Sequence, residues 1–223
     1  PPRVYGRKAQ YSFGWDRGPR LATSGIWKPI RIKAYDVCKI ASFDFRALLR
    51  EPEGATRASI EVSLDAFKEE DATLNVALEG FGYVGIKNEL RRLSLGENRF
   101  AFELAVDDPV LWWPNGYGSQ ALYDLEISVT KGDITLDKVN KKVGIRKIEV
   151  VRERDEEGET FYFKVNGVPV FCKGANWIPA DSFLPQVTRG RYDYLLGKAK
   201  EANMNMLRVW GGGIYEDEAF YEI

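Results

Sequence analysis

The stretch "ASIEVSL", residues 58–64, alternates Ala58, Ile60, Val62 and Leu64 with Ser59, Glu61 and Ser63. A strand turns successive side chains to opposite faces, so a period of two predicts one buried face and one wet face. "YDLEISVT" (123–130) repeats the pattern with Tyr123, Leu125, Ile127 and Val129 as the apolar set, and "TLNVALEG" (73–80) and "RFAFELAV" (99–106) give shorter versions. Turn signals such as Gly96 and the "KGD" of 131–133 separate the runs. Short half-buried strands at this spacing, over about a hundred residues, predict an antiparallel, immunoglobulin-like β-sandwich across 36–147 and a mainly β chain.

The flanks have a different texture. Residues 1–35 are rich in Arg, Gly, Pro and aromatics, and "GIWKPIRIKAYD" (25–36) predicts a strand through Ile26, Ile30 and Ile32, interrupted at Pro29. From 148 onward the period changes. "YFKVNGVPVFCKGAN" (162–176) predicts a turn at Asn166–Gly167 and then a nearly continuous apolar strand ending at Gly174. Thr188 is the expected N-cap of a helix whose Tyr192, Leu195, Leu196 and Ala199 share one face, with Asn203 as its left-handed end. "MNMLRVW" (204–210) is a second buried strand, and Asp217 caps a further helix that has only begun where the sequence stops. Strand, helix, strand, helix implies parallel strands. An eightfold β/α barrel takes about 250 residues. Residues 148–223 account for its first two βα units only, so the expected barrel is truncated.

Composition narrows the chemistry. Lys plus Arg number 32 against 33 Asp plus Glu, so no basic field argues for nucleic acid and no cationic face for a membrane surface. No stretch reaches the roughly twenty apolar residues of a spanning helix. Histidine is absent, which rules out Ser-His-Asp and Cys-His catalysis and the common His-containing zinc sites. The chemistry must then run on carboxylates, Lys, Tyr or Cys. Cys38 and Cys172 lie far apart in apolar runs and are expected as two reduced, buried thiols. No metal and no organic cofactor is called for.

In barrels of this kind the active site lies at the carboxyl ends of the strands. "KGANWIPAD" (173–181) brings Asn176, Trp177 and Asp181 there, and "LRVWGGG" (207–213) brings Arg208 and Trp210. An indole beside a guanidinium and an amide suits a sugar, whose C–H face packs on an aromatic while its hydroxyls take hydrogen bonds. Each residue has a plainer reading. Trp210 fits core packing, Asp181 fits a turn, and Glu216, Asp217 and Glu218 fit helix-start acids that complement the dipole. The triple glycine lacks the Lys-Ser/Thr of a phosphate loop. Trp15 and Asp16 are either a structural pair or a sugar anchor, and composition leaves both open.

Four long segments, "RKAQYSFGWDRGPRLATSGIWKPIRI" (7–32), "VLWWPNGYGSQALYDLEISV" (110–129), "KGANWIPADSFLPQVT" (173–188) and "ANMNMLRVWGGGIYEDEAFYE" (202–222), together resemble β-mannosidases of glycoside hydrolase family 2. The resemblance covers nearly all of the chain in the right order. It implies that 1–35 end a jelly-roll sugar-binding-like domain, that 36–147 form the immunoglobulin-like sandwich, and that 148–223 open a catalytic (β/α)8 barrel. It further implies that Trp15 and Asp16 reach the barrel mouth and contact a terminal mannose, that Trp210 walls that subsite, and that Arg208 stands beside the nucleophilic carboxylate. Asn176 and Asp181 fall in a matching motif, and the resemblance places them with Trp15, Asp16 and Trp210 among the substrate-binding residues. The family often carries Trp at the position of Arg17 and His at the position of Ser12.

The family's two catalytic Glu lie on later barrel strands, and no residue here matches either. The resemblance therefore implies an inactive chain whose parent is a retaining, exo-acting β-mannosidase, with a β-mannoside oligosaccharide or glycan as its partner. A family 2 enzyme with another sugar specificity and a non-catalytic carbohydrate-binding or interaction module are the competing readings. Open parallel strand edges predict self-association through the truncated barrel.

Overall fold

The computed structural model describes residues 3–49 and 56–223. The chain divides into two compact units, Lys33–Phe171 and a second built from Pro1–Ile32 with Cys172–Ile223. In chain order, a hairpin of β1 (Phe13–Trp15) and β2 (Gly18–Arg20) belongs to the two-segment unit. The continuous unit follows with β3 (Cys38–Leu48), β4 (Thr56–Ala66), β5 (Glu70–Gly80), β6 (Tyr83–Leu93), β7 (Gly96–Val106), β8 (Tyr123–Lys131) and β9 (Ile134–Val143). It ends in β10 (Ile148–Val151), β11 (Tyr162–Val165) and β12 (Val168–Val170). The chain then returns to the two-segment unit as β13 (Gly174–Trp177), α1 (Arg189–Glu201), β14 (Met206–Val209) and α2 (Glu218–Glu222).

The continuous unit is built on two antiparallel sheets, ordered β3-β4-β7 and β6-β5-β8-β9, which share one core. The period of two is realised: Ala58, Ile60, Val62 and Leu64 from β4 are buried with Leu74, Val76 and Leu78 from β5 and Leu125, Ile127 and Val129 from β8. Each buried Val, Leu or Ile side chain of this set stabilises the fold by about 1.5–3 kcal/mol through removal of its surface from water. Ser128 breaks the wet-face pattern and is buried. The Asn75 amide covers it, donating to Ser128 Oγ at 3.3 Å and to Thr130 Oγ1 at 3.2 Å.

Polar contacts close the sandwich at its margins. A β-bulge at Ile40/Ser42 turns the Ile40 amide toward β9, where Asp137 Oδ2 accepts it at 2.7 Å. Tyr123, fully buried, accepts the Val110 amide on its hydroxyl at 2.9 Å. The "WWPNGYG" segment that follows is a connector. Trp112 donates its amide to the Ile145 carbonyl and carries the Arg146 guanidinium 4.0 Å above its ring, while Asn166 Nδ2 donates to the Trp112 carbonyl. Burial in this sandwich of groups lowers the Arg146 pKa from its ordinary value. Asn166 and Gly167 have positive φ angles of 50° and 80°, which is the turn expected between β11 and β12.

In the two-segment unit β13 and β14 pair in parallel, Gly174 with Met206 through Trp177 with Val209, and α1 connects them. Thr188 caps α1 by accepting from the Arg191 amide, Asn203 takes the left-handed conformation at φ 57°, and Asp217 caps α2 by accepting from the Ala219 amide.

Three expectations are corrected. Residues 21–37 form no strand, and Ile26, Ile30 and Ile32 are exposed, because none of them finds a sheet to pair with among the described residues. The apolar run does not continue as one strand to Gly174. It breaks after Val170, and Gly174 begins β13, where a Cβ would stand 1.7 Å from the Met206 carbonyl oxygen, so only glycine permits this start to the parallel pair. Cys172 lies in that break and is exposed, whereas Cys38 is buried as expected and its thiol pKa is raised by burial and by the charge of Asp137.

Candidate functional site

The candidate residues of the two-segment unit gather at the β1–β2 turn and the carboxyl ends of β13 and β14. Trp15 and Gly18 pair across a two-residue turn made of Asp16 and Arg17. A Cβ on Gly18 would stand 2.3 Å from Trp15 Nε1, so the indole folds over the glycine. Trp210 directly follows β14, and its ring lies over Gly212 in the same way, with a hypothetical Cβ 2.3 Å from its ring. The two indoles stack with centroids 4.9 Å apart and planes 29° from parallel. Residues from opposite ends of the chain thus make one aromatic wall, and both remain part-exposed.

Asn176 and Arg208 are cross-strand neighbours, and Arg208 Nη1 donates to Asn176 Oδ1 at 3.1 Å. Both are exposed and line a hollow of about 360 Å³ with Gly174, Ala175 and Met206. One hydrogen bond leaves most of the five guanidinium donors open to a ligand. Alternation puts Arg208 and Trp210 on the same side of the chain as it leaves β14. Asp16 is exposed at its turn, and among the described residues no hydrogen bond or ion pair holds its carboxylate. Asp181 caps a turn instead, accepting the Phe183 amide at 2.7 Å. The structure therefore joins Trp15 to Trp210 and Asn176 to Arg208, and gives Asp181 a local partner.

Glu216 corrects the reading of the three acids at the start of α2. It is buried at 7% exposure, and each oxygen has a donor: Trp177 Nε1 at 2.9 Å and Tyr192 Oη at 2.5 Å. The Trp177 ring also packs on Phe220 at 4.8 Å between centroids. Burial foremost, then the bond to Glu216 and its charge, push the Tyr192 phenol far above its usual range. Nearby, the buried Tyr11 hydroxyl has no hydrogen-bond partner among the described residues. Its pKa rises mainly through burial, with the charges of Glu216 and Asp181 adding to the rise. The sequence held a faint signal for this cluster. A buried indole N–H and phenol O–H each need an acceptor, and Glu216 is the acid of the three nearest the apolar Ile214–Tyr215 pair. A separate groove of about 620 Å³ is lined by Trp27, Lys28, Leu184, Tyr192, Ile214 and Tyr215, among others.

The family model of glycosyl hydrolases family 2 matches residues 38–146, and that of the glycosyl hydrolase 2 galactose-binding domain-like family matches residues 1–28. Beta-mannosidase B of Emericella nidulans is 42% identical over 226 residues, covering 99% of this chain and 26% of the relative. The protein of the same name from Aspergillus flavus is 39% identical over 222 residues, covering 100% of this chain and 26% of the relative. The chain thus spans about a quarter of the length of the curated relatives it matches. The crystal structure of Beta-D-Mannosidase from Dictyoglomus thermophilum superposes with a TM-score of 0.92 at 44% identity, over 99% of this chain and 27% of that one. The exo-chitosanase of Amycolatopsis orientalis, at 20% identity and a TM-score of 0.67 over 84% of this chain and 21% of its own, shares the fold.

Proposed function

The chain belongs to glycosyl hydrolase family 2, and we propose that it is the part of a retaining, exo-acting β-mannosidase that receives the terminal mannose. The observation that carries the reading is the stacked pair of Trp15 and Trp210, a part-exposed aromatic wall at the end of a parallel strand. Such a wall packs on the C–H face of a pyranose while nearby amides, acids and guanidinium groups take its hydroxyls. In this reading Trp15 and Asp16 contact the terminal sugar, Trp210 walls it, and Asn176 hydrogen-bonds it. Arg208 is the fixed cation that keeps an attacking carboxylate ionised. Asp181 shapes the loop after β13.

Residues 1–35 are then the tail of a jelly roll, 36–147 an immunoglobulin-like sandwich, and 148–223 the opening of a (β/α)8 barrel. Retaining hydrolysis uses two carboxyl groups roughly 5 Å apart, one protonating the leaving oxygen and the other attacking the anomeric carbon. No residue of this chain is assigned either role. The 223 residues alone are expected to be inactive and to self-associate through the open edges of β13 and β14.

The test compares chromogenic β-mannoside, β-glucoside and β-galactoside as substrates for the full-length protein carrying this chain and for the 223-residue chain by itself. Turnover of the mannoside by the full-length protein alone is the expected result. Preference for another sugar would replace the specificity, and sugar binding without turnover by the full-length protein would favour a non-catalytic module. Turnover by the 223-residue chain would overturn the division of roles.

A further inference from the structure

Three consecutive glycines, Gly211 to Gly213, follow Trp210. Glycine loses more backbone freedom on ordering than any other residue, so an indole carried on such a loop needs holding from outside it. One residue holds the loop at both ends. The Trp177 carbonyl accepts the Trp210 amide at 2.8 Å, and the Trp177 indole donates to Glu216 Oε1 at 2.9 Å. Within the loop, the Gly213 amide donates to the Trp210 carbonyl at 3.1 Å. The second Glu216 oxygen is taken by Tyr192 of α1, so the carboxylate ties the end of the loop to Trp177 at the end of β13 and to α1.

We propose that Glu216 is a positioning residue: through Trp177 and Tyr192 it clamps the loop 210–216 and holds the Trp210 indole against Trp15 in the geometry that a sugar meets. It touches no substrate itself. A plain packing role would be served as well by an apolar side chain, since burying a charge costs more than burying a methyl group. The carboxylate is what two divergent donors require. That the wall binds a sugar rests on the function proposed above, whereas the clamp on Trp210 does not.

The experiment uses the full-length protein labelled with 5-fluorotryptophan, in wild type, Glu216→Ala, Glu216→Gln, Trp177→Phe and the Glu216→Ala/Trp177→Phe pair. Loss of the clamp should move or broaden the Trp210 fluorine resonance in Glu216→Ala and in Trp177→Phe, while Glu216→Gln, which can still accept the indole proton, leaves it near its wild-type position. With a chromogenic β-mannoside, Glu216→Ala should raise KM by about tenfold with kcat changed less than about twofold, the pattern of lost ground-state positioning. The double variant should be no worse than Glu216→Ala, because that change already removes the Trp177–Glu216 bond along with the one from Tyr192.

A lowered melting temperature with unmoved Trp210 resonance and unchanged KM would reduce Glu216 to a packing residue and overturn the proposal. If wild type hydrolyses no glycoside, the functional reading fails and the Trp210 resonance alone decides the clamp. If Glu216→Ala does not fold, Trp177→Phe, which keeps an aromatic ring in place, carries the same test with the same two outcomes.

Discussion

The two compact units spend their apolar residues differently. In the continuous unit, residues such as Ile60, Leu64, Leu74, Leu78 and Ile127 have no exposed surface at all, and both sheets contribute to one core. In the two-segment unit the buried set among the described residues is small, chiefly Tyr11, Ser12, Trp177, Tyr192 and Glu216, while the Trp15–Trp210 stack stays part-exposed and Asn176 and Arg208 are exposed. Burial is what stabilises a fold, and exposed convergent groups are what meet a ligand. The difference puts stability in the sandwich and, on the function proposed above, leaves recognition to the strand ends.

The largest expected effect breaks the first half of that contrast. Leu74→Ala should cost about 2–5 kcal/mol, the usual range for a leucine deleted from a packed core, read as a shift in the urea midpoint. The near-ultraviolet circular dichroism of the stacked indoles should be unchanged below the transition. Loss of that signal in native buffer would mean that the sandwich also sets the site.

Gly212→Ala is the reciprocal test. A Cβ 2.3 Å from the Trp210 ring forces the indole out, so the stack's dichroism should vanish. The strain is expected to cost about 1–3 kcal/mol, borne by the two-segment unit, with hydrogen exchange in the sandwich core unaltered. Exchange accelerated across the core would erase the contrast.

A smaller effect sharpens the account of the sandwich margin. Asp137→Ala strips the Ile40 amide of its acceptor at the bulge and should cost about 1–3 kcal/mol, with faster exchange of the Ile40 amide as the local readout.

The smallest effect is a pH dependence. The Tyr192 phenol is raised in the folded state by burial and by Glu216, so its contribution is fully present below the unfolded pKa of about 10. Above that pH the unfolded chain releases the proton first, and stability falls as pH rises. Tyr192→Phe should flatten this alkaline loss. An unchanged slope would show that the Tyr192–Glu216 bond has no bearing on it.

How much the sequence revealed follows the same divide. The sandwich strands were legible because Ala58 to Leu64 and Tyr123 to Val129 alternate without a break, and alternation has one physical meaning on a half-buried strand. The caps Thr188 and Asp217 and the left-handed Asn203 were legible because each answers a local backbone need. Ile26, Ile30 and Ile32 misled, since apolar character predicts a strand only if a partner stands beside it. Gly174 was misread as an end because its role, admitting the Met206 carbonyl, belongs to a residue 32 positions away. Trp15, Asp16, Asn176, Arg208 and Trp210 were singled out by residue type, but the Trp15–Trp210 stack is a tertiary fact. Glu216 was hidden by its neighbours: in a row of three acids, only the fold shows which one turns inward.

The most direct measurement is Trp210→Ala in the full-length protein, followed in parallel by its denaturation midpoint and by kcat/KM for a chromogenic β-mannoside. If Trp210 is a sugar wall, kcat/KM should fall by about tenfold or more while stability moves by no more than about 0.5 kcal/mol, as for substitutions outside a core. A drop in stability of core size with kcat/KM unchanged would make Trp210 a packing residue and remove the recognition site from the end of β14.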